Sequence, residues 1–268
     1  MGKTDGFTLI EVLMVIAMIS ILAVGSMTLM GSDINEARYQ TTLKRMFEIR
    51  RAMIGEENGG ASGTRFGYLG DIGGLPRTGD GIQALLEPPP GTVSFNVDPL
   101  FKMGTGWNGP YLPDPTFSRV DYTKDEWGNP FIYNADAEPA TLKSLGADGV
   151  EGGAGYGSDI TLMIPTELRR ATLHGLIQNK GKPWLGTADV EISYPDGEAG
   201  KIIQQIYKVT PANPGAFSFY KIPVGEHAIR IFLLDQPPPN SILGPFPVRV
   251  DRPQSAIVLG AAGSPLNL

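Results

Sequence analysis

Between Val12 and Met30 the chain carries no charged residue and no proline, and no other feature constrains the fold as much. As a helix this run spans roughly 28 Å at 1.5 Å per residue, close to the ~30 Å hydrocarbon core of a bilayer. It is longer than the apolar core of an ordinary secretory signal, and its only flanking positive group is Lys3. Beyond Gly25 and Ser26 the stretch NEARYQTTLKRMFEIRRAM is charged but still helix-favouring. Within it Ala37, Leu43, Met46, Phe47, Ile49 and Met53 keep roughly helical spacing. One helix is expected over 7–54, with 7–30 in the membrane and an amphipathic second half ending at Gly55. A plain anchor leaves Glu11 without a role, because a carboxylate in an apolar segment is costly unless paired.

Composition narrows the chemistry. The chain has 268 residues, enough for one large domain or two small ones, and its net charge is −6 with no Lys/Arg cluster that could follow a phosphate backbone. Nucleic acid is therefore not an expected partner. No cysteine is present, which removes thiolate metal sites, disulfides and thiol chemistry together. The two histidines, His174 and His227, lack a nucleophile motif, and no paired carboxylates stand in a catalytic context, so no enzyme is expected. Both imidazoles are expected to be neutral and at the surface. Any metal site would rest on carboxylates and suit calcium better than zinc.

The order Gly6-Phe7-Thr8-Leu9-Ile10-Glu11 ahead of the apolar helix resembles the class III signal of type IV pilins and type II secretion pseudopilins. The resemblance implies a leader over 1–6, cut after Gly6 by prepilin peptidase, and N-methylation of the new terminal residue, Phe7. It further implies that the Glu11 carboxylate neutralises the Phe7 amine of a neighbouring subunit during filament assembly, a contact that would be strong in a low-dielectric bundle. Implied partners are prepilin peptidase, other pilin or pseudopilin subunits, and an assembly platform in the bacterial inner membrane. The implied location is that membrane, single-pass with the head in the periplasm, followed by a periplasmic pseudopilus or a surface pilus. Many relatives have a proline near the position of Thr28, and this chain has none.

Residues 55–165 read as a small head. Asn58-Gly59-Gly60 marks a turn, and DGIQALL suggests a short helix capped by Asp80. PFIY and LKSL are strand candidates. A glycine-rich loop with Asp148, Glu151 and Asp159 follows, and spacing alone favours a solvated surface turn over a cation site. DEWGNP followed by Ser144-Leu145-Gly146-Ala147-Asp148-Gly149 and Asp159-Ile160 resembles the carboxy-terminal part of the major pseudopilin of type II secretion, with Glu126 where that family usually has proline. The resemblance implies a structural Ca²⁺ held by the Asp148 and Asp159 side chains and by carbonyls of residues such as Leu145 and Val150. Glu151 is a weaker candidate.

From 170 to 268 the texture changes to short alternating segments separated by turns, which indicates an all-β sandwich. Leu173, Leu176, Ile192, Phe217, Phe219, Ile229 and Ile231 are its expected core. Ala188 and Val190, with Gly215, Phe217, Phe219, Pro223 and Gly225, resemble carboxypeptidase-regulatory-like or transthyretin-like domains, with an immunoglobulin-like sandwich as the alternative. The expected fold is α+β: a long amino-terminal transmembrane and amphipathic helix, a small pilin-type α+β head, then an all-β sandwich. The expected function is a structural subunit of a type II secretion pseudopilus or type IV pilus, polymerised through the amino-terminal helix. The alternative is a minor or tip pilin whose C-terminal sandwich binds a glycan, a surface or a secreted protein.

Overall fold

The computed structural model describes residues 8–56, 66–197, 201–237, 241–252 and 254–260, and it describes residues 22–32 by backbone only. Gly6, Phe7, the Asn58-Gly59-Gly60 turn and most of the carboxy-terminal tail lie outside them. One helix, α1 (Leu9–Ile54), runs for 46 residues and ends where Gly55 takes φ 76°, a value that favours glycine. Leu9, Leu13, Ile16, Ile19 and Ile21 in its first half are all exposed on the isolated chain. Among the described residues no helix is long and apolar enough to cross a membrane. The expected span over 7–30 therefore includes side chains that the structure does not describe.

The second half of α1 buries a stripe made of Thr42, Arg45, Met46, Ile49, Ala52, Met53 and Ile54. Met46, Ile49 and Met53 follow the expected spacing, and each fully buried side chain contributes about 1.5–3 kcal/mol. Ala37 and Phe47, expected on that face, are exposed, and the Arg50 guanidinium lies 5.1 Å from the Phe47 ring centroid. Short elements pack on the stripe: α2 (Gly67–Ile72) and a 3₁₀ turn over Gly81–Leu85. The 3₁₀ turn stands where a capped helix is expected, and the Asp80 side chain makes no capping hydrogen bond.

The rest of the head is strand and turn. A hairpin, β1 (Asn96–Asp98) with β2 (Met103–Thr105), precedes a one-turn helix, α3 (Pro115–Ser118). The antiparallel sheet β3 (Ile132–Asn134), β4 (Ala140–Ser144) and β5 (Ile160–Ile164) then frames the glycine-rich loop, which connects its last two strands.

From residue 170 onward the chain forms two four-stranded sheets. One holds β6 (Arg170–Asn179), β7 (Lys182–Pro183), β10 (Ala216–Pro223) and β13 (Gln254–Leu259), with β13 parallel to β6. The other is ordered β12 (Ile242–Val250), β11 (Gly225–Leu233), β8 (Ala188–Pro195), β9 (Ile202–Val209). Their facing sides share a core, with the Tyr207 and Phe219 rings edge-to-face at 6.3 Å. Period two along β6 turns Ala171, Leu173 and Ile177 inward. Leu176, expected in the core, is accordingly only half-buried. The arrangement as a whole is α+β with a β-rich carboxy-terminal part.

Head and carboxy-terminal sheets touch closely. Gly197 N donates to Ile72 O at 2.8 Å, and Arg252 reaches the carbonyls of Ile54, Glu56 and Leu168, placing a cation at the negative end of α1. At this junction His227 corrects the expectation of a surface imidazole: it is 2% exposed, with Nε2 2.6 Å from Pro223 O and its ring edge-to-face with Tyr194. Burial pushes its pKa down to about 4. Asp71 lies in a nearby cavity lined also by Tyr111 and Glu226, and burial raises its pKa to about 6 against the hydrogen bond donated by the Tyr111 hydroxyl at 2.9 Å.

The two groups act in opposite senses. Between pH 4 and 6.5 the folded His227 holds fewer protons than the unfolded one, so acid lowers stability. Between pH 3.8 and 6 the folded Asp71 holds more protons, so acid raises it. Each effect amounts to about 3 kcal/mol, and they largely offset. Asp71→Asn is therefore expected to lose about 3 kcal/mol between pH 6.5 and 4, measured by denaturant unfolding at both ends, where the parent chain changes little. An Asp71→Asn profile as flat as the parent's would refute the offset.

Candidate functional site

Two places carry the residues that the sequence singles out. At the start of α1, Thr8 is the N-cap, and Thr8 with Glu11 forms a capping box. Glu11 N donates to Thr8 Oγ1 at 3.4 Å, and Thr8 N donates to Glu11 Oε2 at 3.2 Å. The carboxylate is thus folded back toward the amino terminus of the helix, where the helix dipole favours a negative charge. The Thr-x-x-Glu spacing is the sequence signature of this local role, which stands beside the assembly contact that the resemblance implies for Glu11.

The second place is the loop between β4 and β5. Ser144, the last residue of β4, is buried, and its hydroxyl donates to Asp125 Oδ2 at 2.6 Å. Asp125 Oδ1 in turn accepts from Trp127 N at 3.0 Å and Asn129 N at 2.9 Å, closing the turn of DEWGNP. Asn129 Nδ2 donates to Gly146 O at 2.7 Å. The two motifs, distant in sequence, are therefore one structure. Both are bound to α1: Arg45 is paired with Glu126 and donates to Lys124 O, Glu126 N donates to Thr42 Oγ1 at 3.1 Å, and Trp127 Nε1 donates to Asn35 Oδ1 at 3.0 Å. On the far side the Tyr156 hydroxyl donates to Glu36 Oε2 at 3.1 Å, which raises the phenol pKa, while its ring meets Tyr39 edge-to-face. Glu126 thus ties this turn to α1 through an ion pair with the buried Arg45.

Within the loop the two acids hold opposite ends of one turn. Asp148 Oδ1 accepts from Val150 N and Asp159 Oδ1 from Gly152 N, each at 3.1 Å. Asp148 is exposed and Asp159 half-buried, with Leu145 half-buried and Val150 64% exposed beside them. Glu151 pairs with Lys143, whose Nζ lies 3.0 Å from Glu151 Oε1 and 3.3 Å from Asp159 Oδ2. Among the described residues no three His, Asp or Glu side chains gather as a metal site. A cation here needs backbone oxygens, and the loop is built for close backbone approach. A Cβ on Gly157 would lie 2.7 Å from Asp148 Oδ2, and a Cβ on Gly146 would lie 2.7 Å from the carbonyls of Tyr156 and Ser158. The nearby donors are carboxylate and carbonyl oxygens, which suit a hard cation such as Ca²⁺. His174, bonded to Ser218 on the exposed side of β6, and the buried His227 take no part.

Two family models match the chain: type II secretion system protein G over residues 67–163, and the prokaryotic N-terminal methylation motif over residues 1–27. Type II secretion system core protein G of Pseudomonas aeruginosa is 31% identical over 160 residues, covering 59% of this chain and 94% of that protein. The core protein G of Vibrio cholerae is 28% identical over 162 residues, covering 60% and 92%. Among solved structures, the major pilin subunit of Bacillus cereus aligns with 48% of this chain and 38% of its own, at 15% identity and a TM-score of 0.25, too little overlap to inform the fold.

Proposed function

The chain belongs to the type II secretion system protein G family, and from that premise we propose a course from membrane insertion to filament. As a member of that family it is a structural subunit of the secretion pseudopilus and not an enzyme. Its partners include other pilin-like subunits, and its methylation motif marks it for prepilin peptidase.

The chain enters the inner membrane as a single pass over 7–30, is cut after Gly6, and is methylated at Phe7. On an inner-membrane assembly platform it then polymerises through α1, with Glu11 meeting the Phe7 amine of a neighbour. The single observation behind this reading is that the relatives align over more than nine-tenths of their own length, 92% and 94%. The exposed apolar ring of Leu9 to Ile21 supports it, since a helix apolar on every side needs lipid or neighbouring helices around it. Mass spectrometry of the membrane-extracted protein is expected to give methylated Phe7 as the first residue, and an intact Met1 terminus would sink the proposal.

Asp148 and Asp159, with carbonyls such as those of Leu145 and Val150, are the proposed calcium ligands. When bound, the cation supplies a cross-link between the two ends of the β4–β5 loop. The chain's own residues orient that loop through Ser144, Asn129 and Tyr156. Calcium at about a hundred times its Kd is expected to stabilise the chain by about 2.7 kcal/mol, and Asp148→Ala to abolish that gain. A thermal melt indifferent to chelator would reject the site.

The family model ends at residue 163, so the two four-stranded sheets are an addition to it, which we read as a carboxypeptidase-regulatory-like module. A second reading, a minor or tip subunit whose module binds a glycan, a surface or a secreted protein, is favoured by the edge strand β9, which exposes Ile203 and Ile206. Copy number in purified filaments separates the two readings.

A further inference from the structure

Resting on the calcium reading of the β4–β5 loop, we propose that Lys143 is an internal competitor for that cation. Its ammonium holds Glu151 and Asp159 together when calcium is scarce and must be displaced when calcium enters.

The strand pattern places it there. In β4 the alternate residues Ala140, Leu142 and Ser144 are buried, which leaves Lys143 on the opposite face, paired across the sheet with Thr161. Asp159 immediately precedes β5 and so lies beside Lys143. The ammonium bridges Glu151 Oε1 at 3.0 Å and Asp159 Oδ2 at 3.3 Å. Both Lys143, 27% exposed, and Asp159, 18% exposed, are partly withdrawn from solvent, where such a contact is less screened than on an open surface. Residues 144–160 contain three acids, Asp148, Glu151 and Asp159, and no lysine or arginine. Lys143 is thus the one cation that the adjoining sequence contributes to them. The Asp159 oxygen facing the ammonium belongs to a proposed ligand, so the two cations draw on the same carboxylate. A neighbouring positive charge lowers the affinity of an oxygen site, and at this separation the cost corresponds to about tenfold in Kd.

The test uses the full-length protein in detergent and Ca²⁺ itself, titrated by calorimetry, with melting temperatures recorded in chelator and in saturating calcium. Lys143→Met keeps the aliphatic stem and removes the charge. It is expected to bind calcium about tenfold more tightly than the parent, to melt lower in chelator, and to melt close to the parent in saturating calcium. Lys143→Arg is expected to restore the weaker binding. If Lys143→Met fails to fold, Lys143→Gln takes its place with the same expectations. Parent and neutral variant binding calcium equally, with equal melting temperatures in chelator, overturns the competition while leaving the calcium site intact. If neither protein binds calcium, the calcium reading itself fails and the competition fails with it.

Discussion

Glu11→Ala is expected to insert and lose its leader normally yet yield no filaments, measured as sheared or cross-linked polymer against cleaved precursor. Two contributions are removed together in that variant. The capping box with Thr8 accounts for about 1 kcal/mol of helix stability, because one of the orphan N–H groups at the start of α1 loses its acceptor. The larger loss is the carboxylate that the Phe7 amine of a neighbouring subunit would meet in an apolar bundle, where an amine left unpaired costs several kcal/mol. Glu11→Gln separates the two, since a glutamine side chain can still reach back to the N-cap N–H but carries no charge. If pairing drives assembly, the Gln variant fails almost as completely as the Ala variant. Filaments at parental yield from the Gln variant would leave the helix cap as the residue's only role.

Gly73→Ala is expected to be the most damaging single methyl in the head. Gly73 ends α2 at φ 87°, with its N–H donating to Leu69 O at 2.7 Å, and a Cβ there would collide with the backbone carbonyl of Pro195 at the end of β8. Backbone cannot swing aside as a flexible side chain would, and the neighbouring bond from Gly197 N to Ile72 O holds the two segments together. Left-handed strain and overpacking together amount to about 3 kcal/mol, or a fall of roughly 6–12 °C in melting temperature for a chain of this size. Gly81→Ala is the matched control: φ is 59°, but no atom lies within 4 Å of the added methyl, so about 1 kcal/mol is expected. Because the collision lies between the head and the carboxy-terminal sheets, the Gly73 variant is also expected to melt in two steps in calorimetry. Equal melting temperatures for the two alanine variants would show that the junction yields without cost.

The residues that read correctly from the sequence are those whose information is local. The absence of charge and proline from Val12 to Met30, the helical spacing of Met46, Ile49 and Met53, and the stop at Gly55 are written within a few turns of one helix. The alternation in β6 is equally local, although whether Leu173 or Leu176 faces inward depends on which sheet covers the strand. The same limit governs the candidate loop. Its glycines and acids are legible as a motif, whereas the Ser144 to Asp125 and Asn129 to Gly146 bonds join segments whose separation no local rule encodes.

By itself the sequence determined the long amino-terminal helix, the family signal around Gly6 and Glu11, the oxygen-rich loop, and the strand-rich carboxy-terminal part, because each follows from periodicity or a contiguous motif. Only the tertiary structure decided that Arg45 would be buried against Glu126, that His227 would lie inside a junction rather than on a surface, and that Lys143 would sit between Glu151 and Asp159. The physical reason is common to the three. The state of a charged or titratable side chain depends on what packs across from it, and here each partner arrives on another element or from the far side of a turn.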